Sequence, residues 1–502
     1  MKFSRIQCAQ VSGLVASGVS VETDVNRGLY LFQIVGLPDK AVEEAKERVL
    51  SALRNSLDIN VKAENQKVIV SLSPAELKKE GAYFDVAIAL GYLTATGVIT
   101  ADLQTKLFVG ELALNGEVRP IRGLLSIAAW AKENNIRELF IPLENASEAA
   151  LVDGISCYLT PTLADLVSHL QGNASLASVP YTPPLAIETK AAVDFGDVRG
   201  QLQAKRALTI AAAGGHNIVL YGPPGTGKSM LAKAFHGIVP HLSSDEFLEV
   251  ATIYSSIGLI EDVLGGSVPL RAPHHSASHV AIIGGGQTLR PGDITLAHRG
   301  VLYLDEFPEF DRRVLEALRE PMEEGAITVA RARGSVRYPA QFILLAAMNP
   351  CPCGYRGSGV RHCRCSGAEI ARYNKKLSGP IIDRIDLWVP VAHIEYATLH
   401  DKAQAQESDR ICTHVDRVRA LQKDRYGKLN SMLTPNEIQE RSGLTDDARK
   451  RLQFSAEKLK LSPRSYIRTI KVARTIADLE VSDTIEEPHI LEALQFRPKL
   501  DY

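Results

Sequence analysis

Three short runs of apolar residues interrupt an otherwise mixed pattern: Ile218–Tyr221, Val301–Leu304 and "QFILLAAM", which ends at Met348. Runs this short and unbroken, each followed by turn-forming or polar residues, read as strands buried inside an α/β sheet. Residues 326–341, "AITVARARGSVRYPAQ", instead alternate apolar and polar on both sides of Arg333-Gly334-Ser335, the period-two pattern of a β-hairpin. Beyond about residue 396 a polar, charged stretch leads, near 432, into the helical periodicity of "TPNEIQERSGLTDDARKRLQFSAEKLKL" and "RSYIRTIKVARTIADLE". Residues 172–193 are small, polar and proline-bearing, without apolar period, as expected of a linker. The pattern therefore predicts a first domain over 1–171, a linker over 172–193, an α/β core over 194–395 and a helical region over 396–502. It contains no repeat of 20 to 50 residues and no long low-complexity tract.

A length of 502 residues agrees with this division, since one core rarely grows past about 150 to 250 residues. The longest apolar stretches, such as "VAIALGYLTATGVI", fall short of the roughly 18 residues a membrane span needs. The opening "MKFSRIQCAQVSG" has no apolar signal core, so a cytoplasmic chain without a membrane partner is expected. Seven cysteines, an odd number, then argue for metal binding or a reactive thiol instead of a disulfide framework. With a formal net charge of −1, any nucleic-acid site must be a local patch.

The chemistry is densest in "HNIVLYGPPGTGKSMLAKAF". A buried strand runs into Gly222-Pro223-Pro224-Gly225-Thr226-Gly227-Lys228-Ser229 and then a helix, which is the context a P-loop requires. Glycines let backbone N–H groups curl around the phosphates of ATP, Lys228 reaches the β and γ oxygens, and the Ser229 hydroxyl ligates Mg²⁺. In "GVLYLDEFPEF" a second strand delivers Asp305 and Glu306 at its C-terminal end, where open α/β sheets bind ligands. There Asp305 is placed to hold Mg²⁺ and Glu306 to polarise the attacking water. Asn349 ends the strand "FILLAAMN" and is placed beside the γ-phosphate; Arg384 and Arg464 are candidates for stabilising transition-state charge, with a surface salt bridge as the alternative.

The series "GPPGTGKS", "VLYLDE", "AAMNPCPCGY", "LSGPIIDRIDL" and "SPRSYIRTIKVARTIADL" resembles the magnesium-chelatase-like branch of the AAA+ ATPases, and within it the YifB/ComM family of bacteria. The resemblance implies a P-loop AAA+ core with a C-terminal α-helical lid. It makes Asn349 the sensor-1 residue, Arg384 an arginine finger given to a neighbouring subunit, and Arg464 the sensor-2 arginine, with Arg468 as a rival. A finger acting in trans implies a ring, usually a homohexamer. "LKKEGAYFDVAIALGYLTATG" and "FVGELALNGEVRPIRGLL" are similar to the protease domain of Lon, but Tyr83 falls near the serine position and Leu125 at the lysine position. A phenol and an aliphatic chain supply no activated alkoxide and base, so residues 1–171 are expected to be a proteolytically inactive Lon-like α/β domain.

Cys351, Cys353, Cys363 and Cys365 form C-x-C-x9-C-x-C in a loop with little apolar material of its own, enough thiolates for a closed Zn²⁺ site. His362 as a substitute ligand, or four reduced thiols without metal, are the alternatives. His274, His275 and His279 lie in a segment broken by Pro273 and by Gly284 to Gly286, with no carboxylate nearby in sequence, and read as an insertion loop in preference to a metal site. The hairpin carries Arg331, Arg333 and Arg337 with no acidic residue inside it. In the related minichromosome-maintenance helicases such hairpins line a DNA channel. Three functions follow: an ATP-driven DNA motor acting on single-stranded or branched DNA, with helicase and branch-migration activity that promotes integration of incoming DNA in natural transformation; a chelatase-type assembly ATPase that remodels a protein partner; and an unfoldase tied to a protease, which the missing dyad disfavours.

Overall fold

The structure is a computed structural model describing residues 2–183, 193–286, 289–331, 334–359, 361–393 and 406–498. The chain divides into two compact units, one of Met1–Leu185 with Ser244–Gly265, the other of Ala186–Ser243 with Gly266–Tyr502.

The first unit is built on an eight-stranded mixed sheet. Its longest pair, Lys2–Ser12 and Val15–Arg27, turns back through Gly13 at a φ of 64°, and its inward residues Ile6, Cys8, Val19, Val21 and Val25 are buried. The helix Asp85–Thr96 is apolar on nearly every face and lies in the core. Its first residue, Asp85, is a buried carboxylate held by Arg48 Nε at 2.6 Å and by the Leu112 N–H at 3.1 Å. Burial pushes this carboxyl up to about 6, and Arg48 pulls it the other way. Of the residues read at the dyad positions, Tyr83 accepts from the Cys8 thiol through its backbone carbonyl, and Leu125 is a core residue 7 % exposed.

Helix Ser244–Ile257 was expected inside the ATPase core, but its chain leaves that core and joins the first unit. Phe247, Val250, Ala251, Ile253 and Tyr254 are buried there, the Gly123 N–H donates to the Ser255 carbonyl at 2.9 Å, and the Ser255 hydroxyl bonds the buried Glu148 carboxylate. Apolar period alone does not say which core a helix will enter.

The second unit carries a five-stranded parallel sheet: β1 (Ile218–Tyr221), β2 (Leu270–Arg271), β3 (Val301–Leu304), β4 (Ile343–Met348) and β5 (Leu387–Pro390). Their order is β2-β3-β4-β1-β5, with Val219 opposite both Ala346 and Trp388, and Leu302 opposite Leu344. Strands covered on both faces need no alternation, which is why they read as continuous apolar runs. The polar residues that follow β1, β3 and β4 emerge along one edge of this sheet, as its parallel strands require.

The C-terminal region is helical: Glu407–Tyr426, Pro435–Arg441, Asp446–Leu459, Pro463–Leu479 and Glu487–Gln495. Pro463–Leu479 is its centre, and buried Arg474 is satisfied there by Asp478 at 3.0 Å and by the carbonyls of Ser442, Ser482 and Asp483. Among the described residues no helix is long and apolar enough to cross a membrane.

Candidate nucleotide site and the loops around it

β1 ends at Tyr221, Gly222 opens the loop, and a helix, Lys228–His236, begins after Gly227. Gly225 and Gly227 sit at φ of 78° and 89°, a region glycine enters without steric cost, and a Cβ at either would meet nothing within 4 Å. The inner face of the loop is therefore open to a ligand, with the positive end of the helix dipole behind it. Gly222 is needed for the opposite reason: a Cβ there would lie 2.2 Å from the Val391 carbonyl oxygen. The Thr226 hydroxyl closes the turn on the Pro223 carbonyl at 2.9 Å. Lys228 folds back into the loop, donating to the carbonyls of Gly222 at 2.7 Å and Pro223 at 2.8 Å and to Asn349 Oδ1 at 3.2 Å. Burial pushes its ammonium pKa down, and Asp305 offsets part of that.

Asp305 leaves the end of β3 and accepts from the Ser229 hydroxyl at 3.2 Å. Two hard oxygen donors side by side beside an open phosphate loop suit Mg²⁺. Tyr303, which the sequence reading passed over, lies beside this pair, and burial pushes its phenol up. Glu306 adopts the left-handed conformation at φ 51°, ψ 43°, and its N–H donates to Asp305 Oδ1 at 2.9 Å. The Glu306 side chain meets His275, whose Nδ1 lies 3.1 Å from Glu306 Oε2.

The P-loop, Asp305 and Asn349 thus come together, whereas the arginines do not reach Lys228. Arg384 is 6 % exposed, with its guanidinium on Glu323 and on the Pro380 carbonyl at 2.7 Å. Arg464 is exposed and faces the same Glu323 at 3.8 Å. Arg468 is occupied elsewhere, bonding the buried Asp386 at 2.5 Å, and His216 Nδ1 faces the other oxygen of that carboxylate at 3.4 Å. Against the pull of burial, Arg468 and His216 hold Asp386 well below the usual carboxylate range. Glu323, a glutamate in a helix with no motif around it, carried no signal in the sequence.

The four cysteines gather with all sulfurs within 4.8 Å of one another. Sγ separations are 3.4 Å for Cys351–Cys353, 3.7 Å for Cys351–Cys363 and 3.6 Å for Cys353–Cys363. A tetrahedron with Zn–S bonds of about 2.3 Å has edges of about 3.8 Å, whereas a disulfide needs about 2.0 Å, so the donor set fits zinc and none of these pairs is bonded. Backbone N–H groups of Tyr355 and Arg364 pull the Cys353 thiol down to about 6, whereas at Cys363 and at Cys365 the lowering by a backbone hydrogen bond is outweighed by burial and the neighbouring sulfurs, which push those two thiols up. His362 turns its Nδ1 to the Cys363 carbonyl at 2.9 Å and stands outside the cluster. The loop leans on the nucleotide site: a Cβ at Gly354 would lie 2.7 Å from Pro224 Cδ and 3.8 Å from Asn349 Cγ.

Ala326–Arg331 and Gly334–Pro339 form the expected hairpin, with Thr328 opposite Arg337 and Val329 opposite Val336. Ile327, Val329 and Tyr338 face inward. Arg337 is exposed and has an acidic neighbour from just outside the strand, Glu324 at 3.2 Å. An exposed pair of this kind is worth about 0 to 1 kcal/mol, so a phosphate can displace it. Arg333 and the side chain of Arg331 lie outside the described residues.

A family model described as "Magnesium chelatase, subunit ChlI" matches residues 194–399, "Subunit ChlI of Mg-chelatase" matches 21–145, and "Magnesium chelatase, subunit ChlI C-terminal" matches 405–497. Among similar proteins, the competence protein ComM of Haemophilus influenzae is 42% identical over 502 residues, covering 97% of this chain and 95% of that protein. YifB of Escherichia coli is 40% identical, covering 99% of this chain and 97% of its own length. The magnesium-chelatase 67 kDa subunit of Chlorobaculum tepidum is 32% identical over 162 residues, 32% of this chain and 23% of that subunit.

Proposed function

The chain belongs to the magnesium-chelatase-like AAA+ family that includes ComM and YifB, and on that premise we propose that it is a ring-forming, ATP-driven DNA motor that unwinds or branch-migrates DNA during natural transformation. The family implies ATP and Mg²⁺. When bound, Mg²⁺ neutralises charge on the β and γ phosphates. Ser229 and Asp305 would hold the metal, while Lys228 exchanges its carbonyl partners for phosphate oxygens. Glu306 accepts a proton from water as the water oxygen bonds the γ-phosphorus and the bond to the bridging oxygen of ADP breaks. Asn349, already bonded to Lys228, marks the position of the γ-phosphate and the water. Arg384, read as a finger given to the next subunit, has to leave Glu323 to do so, and Arg464 on the lid shares that partner. Zinc in the four-cysteine loop is structural in this reading, fixing the segment that follows Asn349.

The observation that carries the choice of DNA is the basic hairpin, which runs directly into β4 and so into Asn349. The name of the Haemophilus relative, a competence protein, supports the link to natural transformation. The second reading, a chelatase-type ATPase remodelling a protein partner, draws on the Chlorobaculum subunits, which align over 162 residues only. The two separate on one measurement: a DNA motor hydrolyses ATP faster when DNA is added, and a protein-remodelling ATPase does not.

The hairpin has its own test. Replacing Arg331, Arg333 and Arg337 by alanine is expected to weaken DNA binding whatever the sequence. Three lost phosphate contacts should flatten the slope of log affinity against log salt by about 2.7. ATP binding should survive, since Arg337 is engaged with Glu324 and not with Lys228 or Asp305. Wild-type affinity and salt slope in the triple mutant, measured by fluorescence anisotropy, would remove the hairpin from the DNA site and turn attention to the insertion around 274–290.

A further inference from the structure

The sequence reading set the histidines of "RAPHHSASHVAIIGGG" aside as an insertion loop, and one of them meets the hydrolytic centre. β2 and β3 pair in parallel with Arg271 opposite Leu302. His275 follows Arg271 by four residues and Glu306 follows Leu302 by four, so the register that aligns the strands also brings these side chains to the same end of the sheet. Arg271 braces the approach from below, with Nε and Nη2 on Asp293 at 2.8 Å and 2.7 Å. The His275 ring is fixed by neighbours on two sides: His274 at 4.2 Å between centroids and the edge of buried Phe310 at 6.4 Å. Glu306 itself is 54% exposed in its side chain. A glutamate that open samples many rotamers, and ordering it costs side-chain entropy.

We propose that His275 is a positioning residue for water activation: its Nδ1, 3.1 Å from Glu306 Oε2, pairs with that carboxylate oxygen and so aims the other at the water that attacks ATP. The carboxylate selects the Nδ1–H tautomer of the ring. The inference rests on the reading of this site as an ATPase and adds to it the residue that orients the base. It also explains why the insertion begins where it does. Three residues beyond His275, Ser278 caps the short helix His279–Ile283, which leads into the paired strands Gly284–Gly285 and Arg290–Pro291, and the Tyr338 hydroxyl of the basic hairpin bonds the Leu289 carbonyl. The segment that holds Glu306 is thus continuous with the elements that meet the hairpin.

The test compares wild type with His275→Ala, His275→Asn, Glu306→Gln and the His275→Ala/Glu306→Gln double variant. Single-turnover hydrolysis is measured alongside the dissociation constant of a fluorescent, non-hydrolysable ATP analogue. His275→Ala should hydrolyse about tenfold to a hundredfold more slowly with nucleotide affinity unchanged, since misplacing a reacting group by about 1 Å costs that much. His275→Asn, whose amide N–H sits where Nδ1 does, should recover most of the rate. The double variant should be no slower than Glu306→Gln alone, because both changes remove one arrangement. A His275→Ala rate at or above wild type overturns the inference; so does a fall in nucleotide affinity in step with the rate, a failure of asparagine to rescue, or a double variant slower than Glu306→Gln. A wild type that hydrolyses no ATP would overturn the ATPase reading and this inference with it.

Discussion

Glu306→Gln is expected to bind ATP as tightly as wild type and to hydrolyse it at least about a hundredfold more slowly, the range general-base catalysis covers. The substitution keeps the size and hydrogen-bonding reach of the side chain and removes its ability to take a proton. Asp305 and Ser229 are untouched, so the oxygen pair suited to Mg²⁺ remains, and the Glu306 N–H can still donate to Asp305 Oδ1. Lys228→Ala should fail earlier, at binding. The ammonium that now bonds the Gly222 and Pro223 carbonyls and Asn349 is the only group described inside the loop that brings full positive charge to the β and γ phosphates. Equilibrium binding of a labelled nucleotide beside a phosphate-release assay separates the two variants. Normal turnover in Glu306→Gln would take the residue out of its role.

Purified, reduced protein is expected to carry about one zinc per chain, and Cys351→Ser with Cys363→Ser to lose it together with much of the order around the nucleotide site. The argument is energetic. A structural zinc site in a small peptide contributes about 10 to 16 kcal/mol at neutral pH, and the loop from Cys351 to Cys365 has little else to fold on. Cys351 is fully buried three residues after β4, and a Cβ at Gly354 would lie 2.7 Å from Pro224 of the P-loop and 3.8 Å from the Asn349 side chain. Loss of metal should therefore weaken nucleotide binding without any change at Lys228. Elemental analysis checks the content and thermal unfolding with and without a chelator checks the effect. Reduced, chelator-free protein without zinc would contradict the assignment.

What was legible in the sequence follows from what local chemistry controls. The P-loop, the carboxylates after β3 and the hairpin are each specified by residues adjacent in the chain: glycines where φ is positive, an apolar run ending in acid, an alternation on both sides of a turn. Tertiary choices were not legible. Helix Ser244–Ile257 has an ordinary amphipathic pattern, and it is the Glu148 carboxylate accepting from the Ser255 hydroxyl, the Gly123 N–H donating to the Ser255 carbonyl and the burial of Phe247, Val250 and Ile253 that dock it in the first unit. Arg384 and Arg464 were readable as charges, but their shared partner Glu323 comes from a helix far away in sequence. Arg468 sits one turn beyond Arg464, and only the buried Asp386 distinguishes the two roles. His275 was discounted because no carboxylate lay near it in the chain. The register of two parallel strands supplied one 31 residues on, which a pattern search confined to neighbours does not find.

The central claim, that ATP hydrolysis at Lys228, Asp305 and Glu306 drives movement on DNA, is tested most directly by strand separation on a labelled branched DNA with ATP and Mg²⁺, with Lys228→Ala in parallel. The account predicts separation or branch movement by wild type that depends on ATP and is absent from Lys228→Ala. Wild-type protein that hydrolyses ATP at the same rate with and without DNA, and leaves the branched substrate intact, would contradict it and favour the remodelling of a protein partner.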